Sequence, residues 1–214
     1  MFQSSSELAF RLSNLAEPIP VRNLSFSSSD KRALGLDLGL HLGFAYALFS
    51  EAEKTWYMFP QGIGVVDLAP NRYETGFTCF LRLQEILNIV NPAVIFYELV
   101  KFTPMFEADV SPQAVVARVA TSIELLGALR QTVLLWATDH GVPTIGIPIQ
   151  VIKKTATGSG KANKKDIIEA CNKMFKTDLS VDLAGADDAA DAAFVLYSGL
   201  LNYGCPSFEQ KIES

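Results

Sequence analysis

Residues 32–40 read Arg32-Ala33-Leu34-Gly35-Leu36-Asp37-Leu38-Gly39-Leu40. A short apolar run bounded by turn residues marks a buried strand. Its one acid, Asp37, sits where an ionised carboxylate is costly unless it is paired or holds a metal. Residues 42–51 (LGFAYALFSE) follow after a tight turn, and residues 54–62 (KTWYMFPQG) add a third strand rich in aromatics. Strands joined by connections this short predict an antiparallel meander.

Outward from that meander the pattern stays orderly. Residues 72–90 have helical spacing, with Phe77, Phe80, Leu83, Leu87 and Val90 near one face and Pro92 just past the end. Residues 93–100 (AVIFYELV) are apolar on both faces and predict a central strand. Residues 111–141 predict a long helix, with Ser111 as N-cap, Pro112 in the first turn and Gly141 at the stop. A buried strand over 142–148, a Gly/Lys loop, a helix over 164–175 and an Ala-rich helix over 186–204 complete the order. This is an α/β chain with a mixed sheet and helices on both faces. Residues 1–31, with serine clusters at 4–6 and 27–29, read as an N-terminal extension. Residues 32–204 read as the folded domain and 205–214 as a tail.

Glu98 repeats the anomaly of Asp37, an acid at the end of an apolar strand. Each alone could reach water or an arginine; both are explained together if the strands are neighbours and the acids converge on a cation. The last helix strengthens this reading. Asp188 and Asp191 are three apart and share a face, Asp187 lies close by, and Ala186, Ala189, Ala190, Ala192 and Ala193 around them allow close approach to a sheet. Capping and the helix dipole account for Asp187 and Asp188, but not for Asp191 a turn further in. Four convergent carboxylates without His or Cys suit hard cations, Mg²⁺ or Mn²⁺. A pair of such ions can hydrolyse a phosphodiester. Of the histidines, His140 suits the end of the long helix, and His41 lies near Asp37 without an assigned role.

The chain has 214 residues, 49% of them apolar, a net charge of −5 and three cysteines, Cys79, Cys171 and Cys205. That composition is globular. The cysteines form no CxxC and suggest neither a disulfide framework nor a zinc site. No apolar run is long enough for a membrane span, and the start lacks a secretory pattern, so a cytoplasmic protein is expected. The acidic balance argues weakly against nucleic acid. Locally, however, the stretch from Lys153 to Lys165 holds five lysines, Lys153, Lys154, Lys161, Lys164 and Lys165, and no acid. One concentrated patch suffices to bind a polyanion.

Taken in order, GLDLGLHLGFAYAL, VIFYELV, VIKKTATGSGKANKKDII and ADDAADAAF resemble the motifs of the RuvC-like Holliday junction resolvases, across roughly residues 32–202. The resemblance implies a ribonuclease H-like fold, a homodimer, and metal-dependent endonuclease action with symmetric nicks on a four-way DNA junction. It implies Asp37, Glu98, Asp188 and Asp191 as catalytic metal ligands for two Mg²⁺ or Mn²⁺ ions. Asp188-Ala189-Ala190-Asp191 matches the final motif. Lys153, Lys154, Lys161 and Lys164 would hold DNA phosphates. The family often stacks an aromatic on a junction base three residues after the glutamate; here that position is Lys101, followed by Phe102. The first motif departs from acid-Pro-Gly, reading Asp37-Leu38-Gly39. The N-terminal extension fits a divergent member; were it viral, its site of action would be the host cytoplasm. Three other readings compete, of which a binding-only protein that has lost catalysis is disfavoured because all four acids are present. A related nuclease of the same fold would cut flaps, forks or RNA–DNA hybrids with identical chemistry. A sugar kinase or actin-type ATPase also opens on a strand with Asp-x-Gly, but needs a second half that this length does not hold. The long helix 112–140 is the expected dimer contact.

Overall fold

The computed structural model describes residues 19–22, 31–69, 77–100 and 112–203. In chain order these form β1 (Ile19–Arg22), β2 (Arg32–Asp37), β3 (His41–Ser50), β4 (Thr55–Asp67), α1 (Phe77–Val90), β5 (Val94–Leu99), α2 (Pro112–Asp139), β6 (Thr144–Pro148), α3 (Ile149–Thr157), α4 (Lys164–Phe175) and α5 (Ala186–Tyr203). A single mixed sheet runs β1-β4-β3-β2-β5-β6. The meander β2-β3-β4 is antiparallel, and β5 and β6 add in parallel beyond β2. The α/β mixed sheet read from the sequence is the one observed.

Alternation along the strands divides the core in two. Leu34 and Leu36 of β2, Leu42, Phe44 and Tyr46 of β3, and Ile95 and Tyr97 of β5 pack with Leu83 and Leu87 of α1 and with Leu129, Val133 and Trp136 of α2. Ala33, Ala45, Ala47, Val94 and Phe96 point the other way, against Ile152 of α3, Ile167, Ile168, Cys171 and Phe175 of α4, and the alanines of α5. The period of two therefore places Asp37, after Ala33 and Gly35, and Glu98, after Val94 and Phe96, on the α5 side.

On that side β2 and the Gly43–Ala47 part of β3 present only small residues beside Asp37, namely Ala33, Gly35, Gly43, Ala45 and Ala47. A Cβ at Gly35 would lie 2.6 Å from Leu196 Cβ, and one at Gly43 would overlap the carbonyl oxygen of Asp188. One at Gly199 would run into the ring of Phe96. Missing side chains on the sheet and small ones on α5 bring helix and strands to backbone contact. Ala189, Ala190, Ala192 and Ala193 are fully or almost fully buried in that seam.

Two local features differ from the expectation. The third strand does not end at Gly62: after a register shift opposite Ala45 and Ala47, pairing resumes with Ile63↔Ala45 and continues to Asp67↔His41. Pro60 and Gly62 fall in the irregularity, where a residue without an N–H and one without a side chain are tolerated. Residues 149–157, read as the start of a Gly/Lys loop, form α3, which stops where Gly158 takes φ 78° and caps onto the Lys154 carbonyl. Ile149, Val151, Ile152, Thr155 and Thr157 lower helix propensity, and burial of Ile152 overrides it. Part of the stretch read as an extension, Ile19–Arg22, pairs with Thr55–Met58 as an edge strand.

Candidate metal centre and nucleic-acid face

Asp37 ends β2 and Glu98 stands next to last on β5. The parallel register pairs Leu36 with Tyr97, so the two acids are the next neighbours along it. Asp191, one turn into α5, meets them. Asp37, Glu98 and Asp191 each offer a carboxylate oxygen, and these atoms lie within 4.8 Å of one another. All three side chains are half-buried.

The electrostatics show how much negative charge is gathered there. Burial first, and then the carboxylates of Glu98, Asp191, Asp188 and Asp187, push Asp37 up to about 9. Asp191 is raised to about 7 by burial and by Glu98, with Lys153 opposing. Burial also raises Glu98, against a hydrogen bond from Asp37 and the charge of Lys153. Carboxylates that raise one another in this way are close enough to share a proton or a cation. An oxygen-only donor set carrying unmet charge in a half-buried recess suits a hard divalent ion.

Helix spacing alone places Asp187 close to the face of Asp188 and Asp191, and the motif match favours Asp188 over it. In the structure the Lys164 amine donates to the Asp187 carboxylate. Burial would raise Asp187, but this bond and charge outweigh it and hold the group below its usual value; the same contact raises Lys164. Asp188 lies outside the tight group of three, yet its charge reaches Asp37, Glu98 and Asp191. Its own carboxyl is raised by burial and by Asp187, with Lys164 and His41 opposing. The Lys164–Asp187 pair links residues 23 apart in sequence, so spacing along one helix could not reveal it.

The lysines divide by position. Lys153 is half-buried on α3, where its charge reaches Glu98 and Asp191. Lys154, Lys161 and Lys164 are exposed, and of these Lys164 reaches the acids through Asp187. A capping box fixes the start of α4: Asn163 Oδ1 accepts from the Asp166 N–H and Asp166 Oδ2 from the Asn163 N–H, both at 3.0 Å. The Asn-x-x-Asp spacing is the sequence signal of this box, legible without the structure. Lys101 and Phe102 lie outside the described residues. His41 and Asp67, across the β3–β4 ladder, form an ion pair through Nδ1. His140, as expected, follows the long helix, its ring 4.1 Å from that of Trp136 and its Nδ1 2.8 Å from the Trp136 carbonyl oxygen.

No family model matches the chain. It is 29% identical over 140 residues to the crossover junction endodeoxyribonuclease RuvC of Pseudothermotoga lettingae, covering 64% of this chain and 84% of that protein. Against RuvC of Gloeobacter violaceus it is 31% identical over 83 residues, 39% of this chain and 46% of that one. The fold matches Thermus thermophilus RuvC, solved with a Holliday junction substrate, at a TM-score of 0.54. That match has 18% identity and covers 78% of this chain and 94% of the other.

Proposed function

We propose that this RuvC-like chain is a structure-selective endodeoxyribonuclease that resolves Holliday junctions by divalent-metal-dependent phosphodiester hydrolysis, nicking opposed strands symmetrically. The convergence of Asp37, Glu98 and Asp191 at one end of the sheet carries the proposal. Likeness to proteins named crossover junction endodeoxyribonuclease supplies the substrate.

With Asp188, these acids would hold Mg²⁺ or Mn²⁺, two ions in the loaded site. Cations bound there supply the charge that activates water and stabilises the leaving oxygen, giving 5′-phosphate and 3′-hydroxyl ends. The chain's own part is positional. Gly35 and Gly43 set how near the helix acids come to the strand acids. Lys153 offers one positive charge beside Glu98 and Asp191. Lys154, Lys161 and Lys164 meet backbone phosphates, which contributes affinity more than sequence choice. Phe102, next to Lys101, offers a ring for a junction base. A homodimer joined through α2 would place one site on each cut strand, acting on DNA in the cytoplasm.

Purified protein is incubated with an immobile four-way junction, a matched duplex, a flap and an RNA–DNA hybrid, in Mg²⁺ and in EDTA, with Asp37→Asn alongside. Paired nicks on the junction alone, lost in EDTA and in the variant, are expected. Equal cutting of flaps or hybrids would replace the substrate, and cutting that survives Asp37→Asn would remove the metal site.

A further inference from the structure

Both histidines of the chain are tied to a neighbour, in different ways. The ring of His140 is stacked on Trp136 and its Nδ1 is held at a backbone carbonyl. His41 instead opens β3 on the α5 side of the sheet, two residues before Gly43 on the same face, and Gly43 lies directly beneath the backbone of Asp188. Asp67, its cross-strand partner, occupies Nδ1. A carboxylate on one ring nitrogen fixes the ring's orientation and makes that nitrogen the donor. Nε2 is then the nitrogen left to meet a ligand, and the side chain is 61% exposed. Among the described residues, the charged groups that act with it are Asp67 from β4 and Asp188 from α5; the Lys164–Asp187 pair adjoins Asp188, and Asp37 pairs in register with Gly43.

We propose that His41, oriented by Asp67, is a DNA-contacting residue whose protonated imidazole donates through Nε2–H to a backbone phosphate oxygen at the rim of the metal centre. The proposal rests on the nuclease reading for its ligand. A cation here would stand beside Asp188 together with Lys164, adding a second positive group for the phosphate backbone at that carboxylate. Asp67 acts through His41 and is a positioning residue.

The test is affinity in EDTA for a labelled immobile four-way junction, read by fluorescence anisotropy across a salt series at about pH 6, below the ordinary histidine value of roughly 6.5. Each phosphate contact contributes about 0.9 to the slope of log K against log salt. His41→Gln is expected to lose about that much, and His41→Lys to keep the wild-type slope. Asp67→Asn gives the sharper sign. Removing a negative charge should on its own tighten DNA binding, yet here it is expected to weaken it, and to stop doing so in the His41→Gln background. A wild-type slope in His41→Gln, or Asp67→Asn tightening binding equally in both backgrounds, overturns the proposal. A parallel Mg²⁺ arm separates the two ideas. Expected slopes without nicking overturn the nuclease reading alone, nicking with unchanged slopes overturns the His41 contact alone, and wild-type protein without salt-dependent affinity overturns both.

Discussion

Asp37 shows what one misplaced charge costs. Its folded-state value of about 9 lies far above the 3.8 of an unperturbed aspartate. Between those values the folded state binds more protons than the unfolded one, so stability falls as pH rises. Metal-free protein is therefore expected to melt at progressively lower temperature from about pH 4 to about pH 9. Asp37→Asn is expected to flatten that slope and raise the melting temperature at neutral pH, while cutting nicking at least about a hundredfold, the scale of losing one contact to a developing charge. A variant with a wild-type slope would show that Asp37 is not the strained group. Asp37 and Glu98 were legible because an acid in an apolar strand breaks the pattern. The choice among Asp187, Asp188 and Asp191 was only half legible, since spacing puts them on one face and says nothing of Lys164. With that lysine in contact with Asp187, Lys164→Met is expected to weaken junction binding and lower its salt slope by about 0.9.

At the scale of elements, α5 is the part on which the site depends. Gly43→Ala sets a methyl group against the backbone of Asp188; backbone cannot step aside as a side chain can. Overpacking of this kind costs about 1–3 kcal/mol, and here it moves the acids as well. A lowered melting temperature should therefore come with weaker Mn²⁺ binding by calorimetry; loss of stability with unchanged Mn²⁺ affinity would contradict the seam. Gly127 is the contrast. It is helical, exposed and has nothing within 4 Å of an added Cβ, so Gly127→Ala is expected to stabilise by about 0.5–1 kcal/mol in thermal melts. The close approach of α5 was foreshadowed by its alanines, but the matching glycines on β2 and β3 were read only as strand and turn residues. Helix α3 was missed because its β-branched residues argue locally for something else, and only the burial of Ile152 reveals it.

At the scale of the whole molecule, α2 turns Leu129, Val133, Trp136 and Ala137 inward and leaves Leu135 63% and Ile123 43% exposed. If that outer side joins two copies, the Ile123→Glu/Leu135→Glu double variant should sediment as a monomer and turn paired nicks into single ones; dimers persisting in the double variant would move the contact elsewhere. Among the described residues no helix is long and apolar enough to cross a membrane. Strand order was largely legible, because a meander followed by apolar strands and helices leaves few sheets to build. The edge strand β1 was not, since four residues including Pro20 show no alternation, and an edge is where such a strand is tolerated. The glycines of β2 and β3 under α5 have a consequence for inheritance. The gap between strand acids and helix acids is a gauge cut by peptide groups, not by the size or flexibility of packed side chains. Drift can exchange core residues on the opposite side of the sheet without altering that gauge, whereas one added carbon at Gly35 or Gly43 resets it. Two positions that carry no functional group at all thus set the spacing of the groups that do.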